Sequence, residues 1–244
     1  MIDYNNWTPP PWSVLGVEQE PAPPASMFER RARWELTRLR GRDSSAVRAK
    51  IARLEHALEE RAKLSRWFLQ ATPEQRRKAV AAPLLRAIDG YQGNHGFLLV
   101  GEPDKGKTTA AYLAVEGLWA AGLRDDKPFP RVTIMKAVDL GNARRTHGLG
   151  AGDPALIKQA KAAQLLLLDD LGQDERRDPV MFEIFDARYE RGLVSIVTSG
   201  FTWDALTTMY SEALMRRILQ AGPNKGRFVS LFPKEQQQPK LAAV

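Results

Sequence analysis

A chain of 244 residues that is 43% apolar and carries a net charge of +7 can bury one sizeable core, or one core and a small helical appendage. Having no cysteine excludes a disulfide framework and a thiolate metal site, and three scattered histidines argue against zinc. No apolar run approaches the ~20 residues that span a bilayer, and MIDYNNWTPPPW has neither a basic nor an apolar leader region, so a cytoplasmic protein with no membrane attachment is expected.

The charge is unevenly placed. Residues 27–88 carry 16 Lys and Arg against 7 Asp and Glu, residues 1–26 carry three acids and no base, and residues 89–244 are nearly balanced at 20 against 19. A basic segment of this kind attracts nucleic acid phosphate or an acidic protein surface, unless its charge is only the solvated face of long helices.

Residues 1–26 hold six of the sixteen prolines and no apolar period, which reads as an extended, Pro-rich, disordered tail whose Trp7 and Trp12 either anchor a partner or fold back onto the body of the protein. From Met27 to about Arg40 the period turns helical through Phe28, Ala32, Leu36 and Leu39, and Gly41 breaks it. Ser44 or Ser45 then caps a long helix with Val47, Ile51, Leu54 and Leu58 on one side, continuing through Leu64 to Trp67 and Phe68. Thr72-Pro73-Glu74-Gln75 is a capping box with proline at the first helical position, and it opens a third helix over roughly 73–88. The segment 27–88 is therefore expected to be a basic helical unit, its apolar stripe more often internal packing than a partner site.

After residue 96 strands and helices alternate. Strands are expected at 96–100, 131–135, 165–168 and 193–198, and helices at 107–121, 153–163, 180–191 and 204–219. Apolar strands without polar alternation, separated by helices, define an α/β fold: a parallel sheet covered on both faces, a three-layer αβα arrangement over 89–244.

Two motifs carry chemistry. GEPDKGKT, residues 101–108, fits G-x-x-x-x-G-K-[ST] between a strand and a helix, the context a P-loop NTPase requires. Its backbone N–H groups and the following helix N-terminus favour phosphate. The expected nucleotide-binding residues are Gly101, Glu102, Pro103, Asp104, Lys105, Gly106, Lys107, Thr108 and Thr109; Lys107 would reach the outer phosphates and Thr108 would hold Mg²⁺. AQLLLLDDLG, residues 163–172, delivers two acids at the end of a buried strand. Asp169 is the second Mg²⁺ candidate, and Asp170 the carboxylate that orients or deprotonates the attacking water. Thr198 and Ser199 end the next strand as further catalytic candidates. Arg216 and Arg217, in ALMRRIL, are either surface charge or the arginine that reaches a neighbour's nucleotide in an oligomeric ATPase.

With GEPDKGKTTAA, LLLLDDLG, FDARYERGLVSIVTSG and ALMRRIL in this order, residues 90–235 resemble the AAA+ ATPases. Within them the chain is similar to the bacterial and phage helicase loaders of the DnaC/DnaI type; IstB-type transposition helpers are close relatives. The most discriminating block runs from Phe185 to Thr198, where a helix ending in Arg188-Tyr189 leads into a strand. The resemblance implies ATP and Mg²⁺ as cofactors, a hexameric replicative DNA helicase gripped by the N-terminal helices, single-stranded DNA as a further partner, and a homo-oligomer when ATP is bound. It maps the arginine finger to Arg217, with Arg216 as alternative, and makes Arg227 a candidate second-sensor residue. The family usually has glycine at Asp104 and asparagine at Gly200. Two other readings stand beside the loader: an IstB-like helper, and a nucleotide switch that does not depend on hydrolysis.

Overall fold

The computed structural model describes residues 27–148, 152–173 and 179–233. The Pro-rich tail, with Trp7 and Trp12, lies outside them. The chain begins with α1 (Met27–Leu39), α2 (Ser45–Ala62), α3 (Arg66–Gln70), α4 (Pro73–Lys78) and α5 (Ala82–Ile88). There follow β1 (Phe97–Val100), α6 (Lys107–Arg124), β2 (Val132–Lys136), α7 (Ala137–Arg145), α8 (Ala155–Ala162), β3 (Leu165–Asp169), α9 (Val180–Glu190), β4 (Val194–Ser199), α10 (Trp203–Tyr210), α11 (Glu212–Gln220) and β5 (Arg227–Ser230). Among the described residues no helix is long and apolar enough to cross a membrane.

All strand pairings are parallel, in the order β2-β3-β4-β1-β5. Successive side chains on a strand point to opposite faces, so a run such as Leu165–Leu168 must be covered on both. One face carries Phe97, Leu99, Val132, Ile134, Leu165, Leu167 and Ile196 into a core shared with α1, α2, α5 and α6. Leu98, Val100, Leu166, Leu168 and Val197 point the other way, into a core with α7 to α11. Three layers result.

Residues 27–88 thus pack into the same core as the sheet. Phe28 stacks on Trp119 of α6 at 5.3 Å, and Phe68 meets Tyr112 of α6 edge-on at the same centroid distance. Part of the segment's positive charge is spent inside the protein. Glu116 of α6 accepts from buried Arg61 of α2 and buried Arg76 of α4, each at 2.9 Å, while Arg61 also reaches Glu29 of α1 at 2.6 Å. α2 also covers the outer edge of β2. The Ile134 N–H donates to Glu60 Oε2 at 2.8 Å, and His56 Nε2, one helical turn earlier, lies 2.8 Å from the Val132 carbonyl. An edge whose backbone groups are occupied in this way is closed to strand addition.

Several expected helices are shorter than their apolar period. The second ends at Ala62, because Ser65 Oγ accepts from the Phe68 N–H and starts a new helix. The third divides at Ala79–Ala81, because Pro83 has no N–H to offer the preceding turn and sits instead in the first turn of α5. The expected helix 204–219 divides at Ser211, whose φ is 78°. The helix α7, with glycine in its middle and no side-chain cap, and the short, half-exposed β5 have no counterpart in the sequence reading.

Candidate active site

β1 delivers the chain to the loop 101–106, and α6 begins at Lys107. Gly106 has φ 77°, and a Cβ there would lie 2.2 Å from the carbonyl oxygen of Ala79, so only glycine fits. The break between α4 and α5 therefore packs directly on the phosphate loop, with the Ala81 N–H donating to the Lys105 carbonyl at 3.3 Å. Asp104 adopts φ 60°, a left-handed conformation that Asp tolerates better than most residues. Its side chain is exposed and borders the cavity described below.

Lys107 Nζ donates to the Glu102 carbonyl at 2.7 Å, folding the side chain back over the loop. Burial pushes its ammonium below the ordinary lysine range, opposed by the nearby carboxylates of Asp170, Asp169 and Asp104. β3 carries Asp169, which is buried, and then Asp170, which is exposed at φ 59°. Asp169 Oδ1 accepts from Thr108 Oγ1 at 2.8 Å and from Thr198 Oγ1 at 2.5 Å. Burial pushes the Asp169 carboxyl above the usual carboxylate range, while these hydroxyls act in the opposite sense and Asp170 adds to the rise.

Thr108 and Asp169 thus present two hard oxygen atoms in contact, the donor type a magnesium ion prefers. Beside them a cavity of about 330 Å³ is bordered by Ala79, Pro103, Asp104, Gly106, Lys107, Thr108, Thr109 and Asp170. The N-terminus of α6, Lys107 and Asp170 all border this cavity. A larger cavity of about 640 Å³ lies at the far end of α6, among residues such as Tyr91, Leu118 and Phe129, and none of the phosphate-loop residues line it.

Of the expected binding residues, Gly101, Glu102 and Lys105 do not border the cavity. Gly101 is buried against Leu231, and Glu102 and Lys105 are exposed and pair with each other at 3.7 Å. Thr198 and Ser199 are both fully buried. The Thr198 hydroxyl donates to Asp169 and accepts from the Asp170 N–H at 3.0 Å. Ser199 Oγ donates to the Leu171 carbonyl at 2.6 Å and accepts from the Phe201 N–H at 3.1 Å. Both hydroxyls knit β4 to the turn after β3. Gly200 is exposed, and a Cβ there would meet nothing within 4 Å.

The arginine pair lies on α11, away from this cavity. Arg217 Nε donates to Asp186 Oδ1 at 2.5 Å, its guanidinium sits 4.7 Å from the centre of the Phe182 ring, and Nη1 makes a long bond of 3.3 Å to the Ala213 carbonyl. Arg216 pairs with Glu212 at 3.5 Å, both half-exposed. Arg227, on β5, donates to the Ala87 carbonyl at 3.3 Å. Arg188 has a different role. It is fully buried and donates to Ser195 Oγ and to the carbonyls of Ala160, Ala163 and Val194, binding the C-terminal end of α8 to α9 and β4. Burial without a carboxylate partner pushes its guanidinium down to about 9. Ala79, on the cavity wall, and Glu116 were not legible as site or anchor residues; the only sequence signal near Ala79 is Pro83, which breaks the helix.

A phosphate-loop motif after β1, an acid pair at the end of β3, and β4 inserted between those two strands give the sheet order and motif placement of a P-loop NTPase-type α/β fold. No family model matches the sequence, and no curated protein matches it. Among solved structures, the chain is similar to the crystal structure of DnaI, with 20% identity over 64% of this chain and 81% of that one and a TM-score of 0.44. It is similar to the crystal structure of the DnaC helicase loader, with 19% identity, 66% and 91% coverage and a TM-score of 0.46. AMPPCP-bound DnaA from Aquifex aeolicus gives 24% identity, 71% and 53% coverage and a TM-score of 0.44.

Proposed function

We propose that the protein is an ATP-dependent loader of a hexameric replicative DNA helicase, with Mg²⁺-ATP held at the phosphate loop. The observation that carries the ATP site is the contact of Thr108 and Asp169 beside Lys107, on the cavity edge where open α/β sheets bind ligands. The loop N–H groups and Lys107 bind the phosphates. Thr108 and Asp169 hold the cation, which neutralises charge on the phosphates when bound. Asp170, exposed on the cavity wall, orients and deprotonates the attacking water. Arg217 of one copy serves the site of the next in a homo-oligomer; Asp186 accepts from its Nε and the Ala213 carbonyl from its Nη1, so reaching a phosphate exchanges these contacts. The loader assignment is supported by the resemblance of the block 185–198. Residues 27–88 form the helicase-binding face, and single-stranded DNA is the second partner.

A nucleotide switch without efficient turnover is favoured by one observation. Thr198 and Ser199 spend their hydroxyls inside the fold, and Gly200 offers no side chain to the attacking water.

Both readings are tested with purified full-length chain and the replicative helicase of its own host. Co-elution of the two, with ATP hydrolysis that Lys107→Ala abolishes, supports the loader. Co-elution and ATP binding with no hydrolysis in the presence of single-stranded DNA establish the switch. Absence of a complex with the helicase removes the loader assignment and leaves the nucleotide site standing.

A further inference from the structure

The short helix α3 carries two adjacent rings with opposite fates. Phe68 is fully buried, edge-on to Tyr112, with the Arg76 guanidinium 4.3 Å from its centre. Trp67 is 49% exposed, although a ring of this size is a large apolar surface to leave in water. It borders a surface groove of about 440 Å³ with Gln70, Ala71, Gln75 and Lys78.

The setting of this groove is basic. Between residues 63 and 78 stand Lys63, Arg66, Arg76, Arg77 and Lys78 against the single acid Glu74. Arg76 is buried and engaged by Glu116. The other cations reach the surface, where Lys63 pairs with Glu60 and Arg77 with Asp89, and Lys78 alone among them lines the groove. Arg66 is exposed and forms no ion pair among the described residues, and Lys78 pairs with Glu74 at 2.9 Å with both side chains about three-quarters exposed. An ion pair so exposed is worth little and exchanges readily for another anion.

An anchor for a protein partner is normally ringed by further apolar surface. Here the ring is polar apart from Ala71, and the other exposed large hydrophobics, Met27, Leu156, Phe182 and Tyr189, do not line the groove. An exposed aromatic among cations and amides suits a flexible polyanion with planar bases. A duplex keeps its bases stacked inside and cannot offer one to the indole.

We propose that Trp67 and its groove bind single-stranded DNA: one base stacks on the indole, and Arg66 and Lys78 meet the flanking phosphates. The choice of DNA over RNA rests on the loader reading; the site itself does not depend on nucleotide. Trp67 and Arg66 lie on the surface, so their substitution leaves the core intact.

The test is fluorescence anisotropy of a labelled oligothymidylate with full-length protein in the absence of ATP. Trp67→Ala is expected to weaken binding by about tenfold or more, and Trp67→Phe to stay within about threefold of wild type, since stacking tolerates any aromatic. Arg66→Ala with Lys78→Ala is expected to weaken binding and to flatten its salt dependence by about two phosphate contacts. The proposal is overturned if Trp67→Ala binds like wild type, if Trp67→Phe is as weak as Trp67→Ala, or if duplex or oligouridylate binds more tightly. It is also overturned if Trp67→Ala loses the helicase while keeping single-stranded DNA, which makes Trp67 a protein anchor. A wild type that binds no single strand overturns it as well, while helicase co-elution and ATP binding, measured separately, still decide the function proposed above.

Discussion

The N-terminus and the middle of α6 handle buried charge in opposite ways. At its N-terminus Lys107, Thr108 and Asp169 hold charge that burial disfavours: the lysine is pushed down and the carboxyl up, each towards its neutral form. Two turns later, the partly buried Glu116 lies between buried Arg61 and Arg76, so each ion there faces an opposite charge. The first arrangement sets no opposite charge in direct contact with Asp169 or Lys107. The second pairs opposite charges and ties three helices to α6, although burial also pushes the Arg76 guanidinium down and leaves Arg61 Nη2 and Arg76 Nε without a hydrogen-bond partner. Of the left-handed non-glycine residues among the described ones, Asp104 and Asp170 border the phosphate cavity, whereas Asp126, just past the end of α6, and Ser211 do not.

The largest effect should fall in the middle of α6. Glu116→Ala leaves two buried guanidinium groups without their shared partner and should cost about 3–5 kcal/mol in urea unfolding. A loss below about 1 kcal/mol would show that α1–α5 are held by apolar contacts alone. At the functional end, Asp170→Asn should lower ATP turnover by about 10²-fold or more while ATP affinity is retained. Equal loss of binding would mean that Asp170 positions nucleotide rather than water.

Gly200→Asn sharpens the contrast from the other side. Open space surrounds that position, so stability should stay within about 0.5 kcal/mol of wild type. Turnover should rise by about tenfold, corresponding to ~1.4 kcal/mol of added transition-state stabilisation. No change in turnover would leave the switch reading stronger.

The smallest effect is thermal. The folded-state pKa of Asp169 lies above its ordinary value of 3.8, so its contribution favours the folded state below that pH and is lost as pH rises through the raised folded value. Asp169→Asn should therefore raise the Tm of the nucleotide-free protein at neutral pH, by about 2–4 °C for each kcal/mol regained. It should also flatten the pH dependence of stability just above 3.8. A lower Tm would mean that the Thr108 and Thr198 hydrogen bonds outweigh the desolvation of the carboxylate.

Much of this division was legible in the sequence, because local rules agreed with the fold. FLLV and LLLL read as strands buried on both faces, GEPDKGKT as a turn into a helix, and Thr72 to Gln75 as a capping box. The structure brings Lys107, Thr108, Asp169 and Asp170 together as their spacing implied. What escaped depends on contacts between distant segments. Nothing local marks Glu116 as the partner of Arg61 and Arg76, or Ala79 as the lid of Gly106. The hydroxyls of Thr198 and Ser199 were legible as polar strand ends, but their inward hydrogen bonds follow only from the packing of β4 against the turn after β3. The charge of residues 27–88 was counted correctly in sequence, yet its burial in Arg61 and Arg76 required the core shared with α6.

The central claim is that the N-terminal end of α6 is a Mg²⁺-ATP site, and calorimetric titration of the full-length chain with ATP tests it most directly. The expected result is saturable binding of one ATP per chain in the presence of Mg²⁺, weakened by EDTA and lost in Lys107→Ala, with the fold of that variant intact by circular dichroism. Absence of binding by the wild type, or equal binding by a folded Lys107→Ala variant, would contradict it.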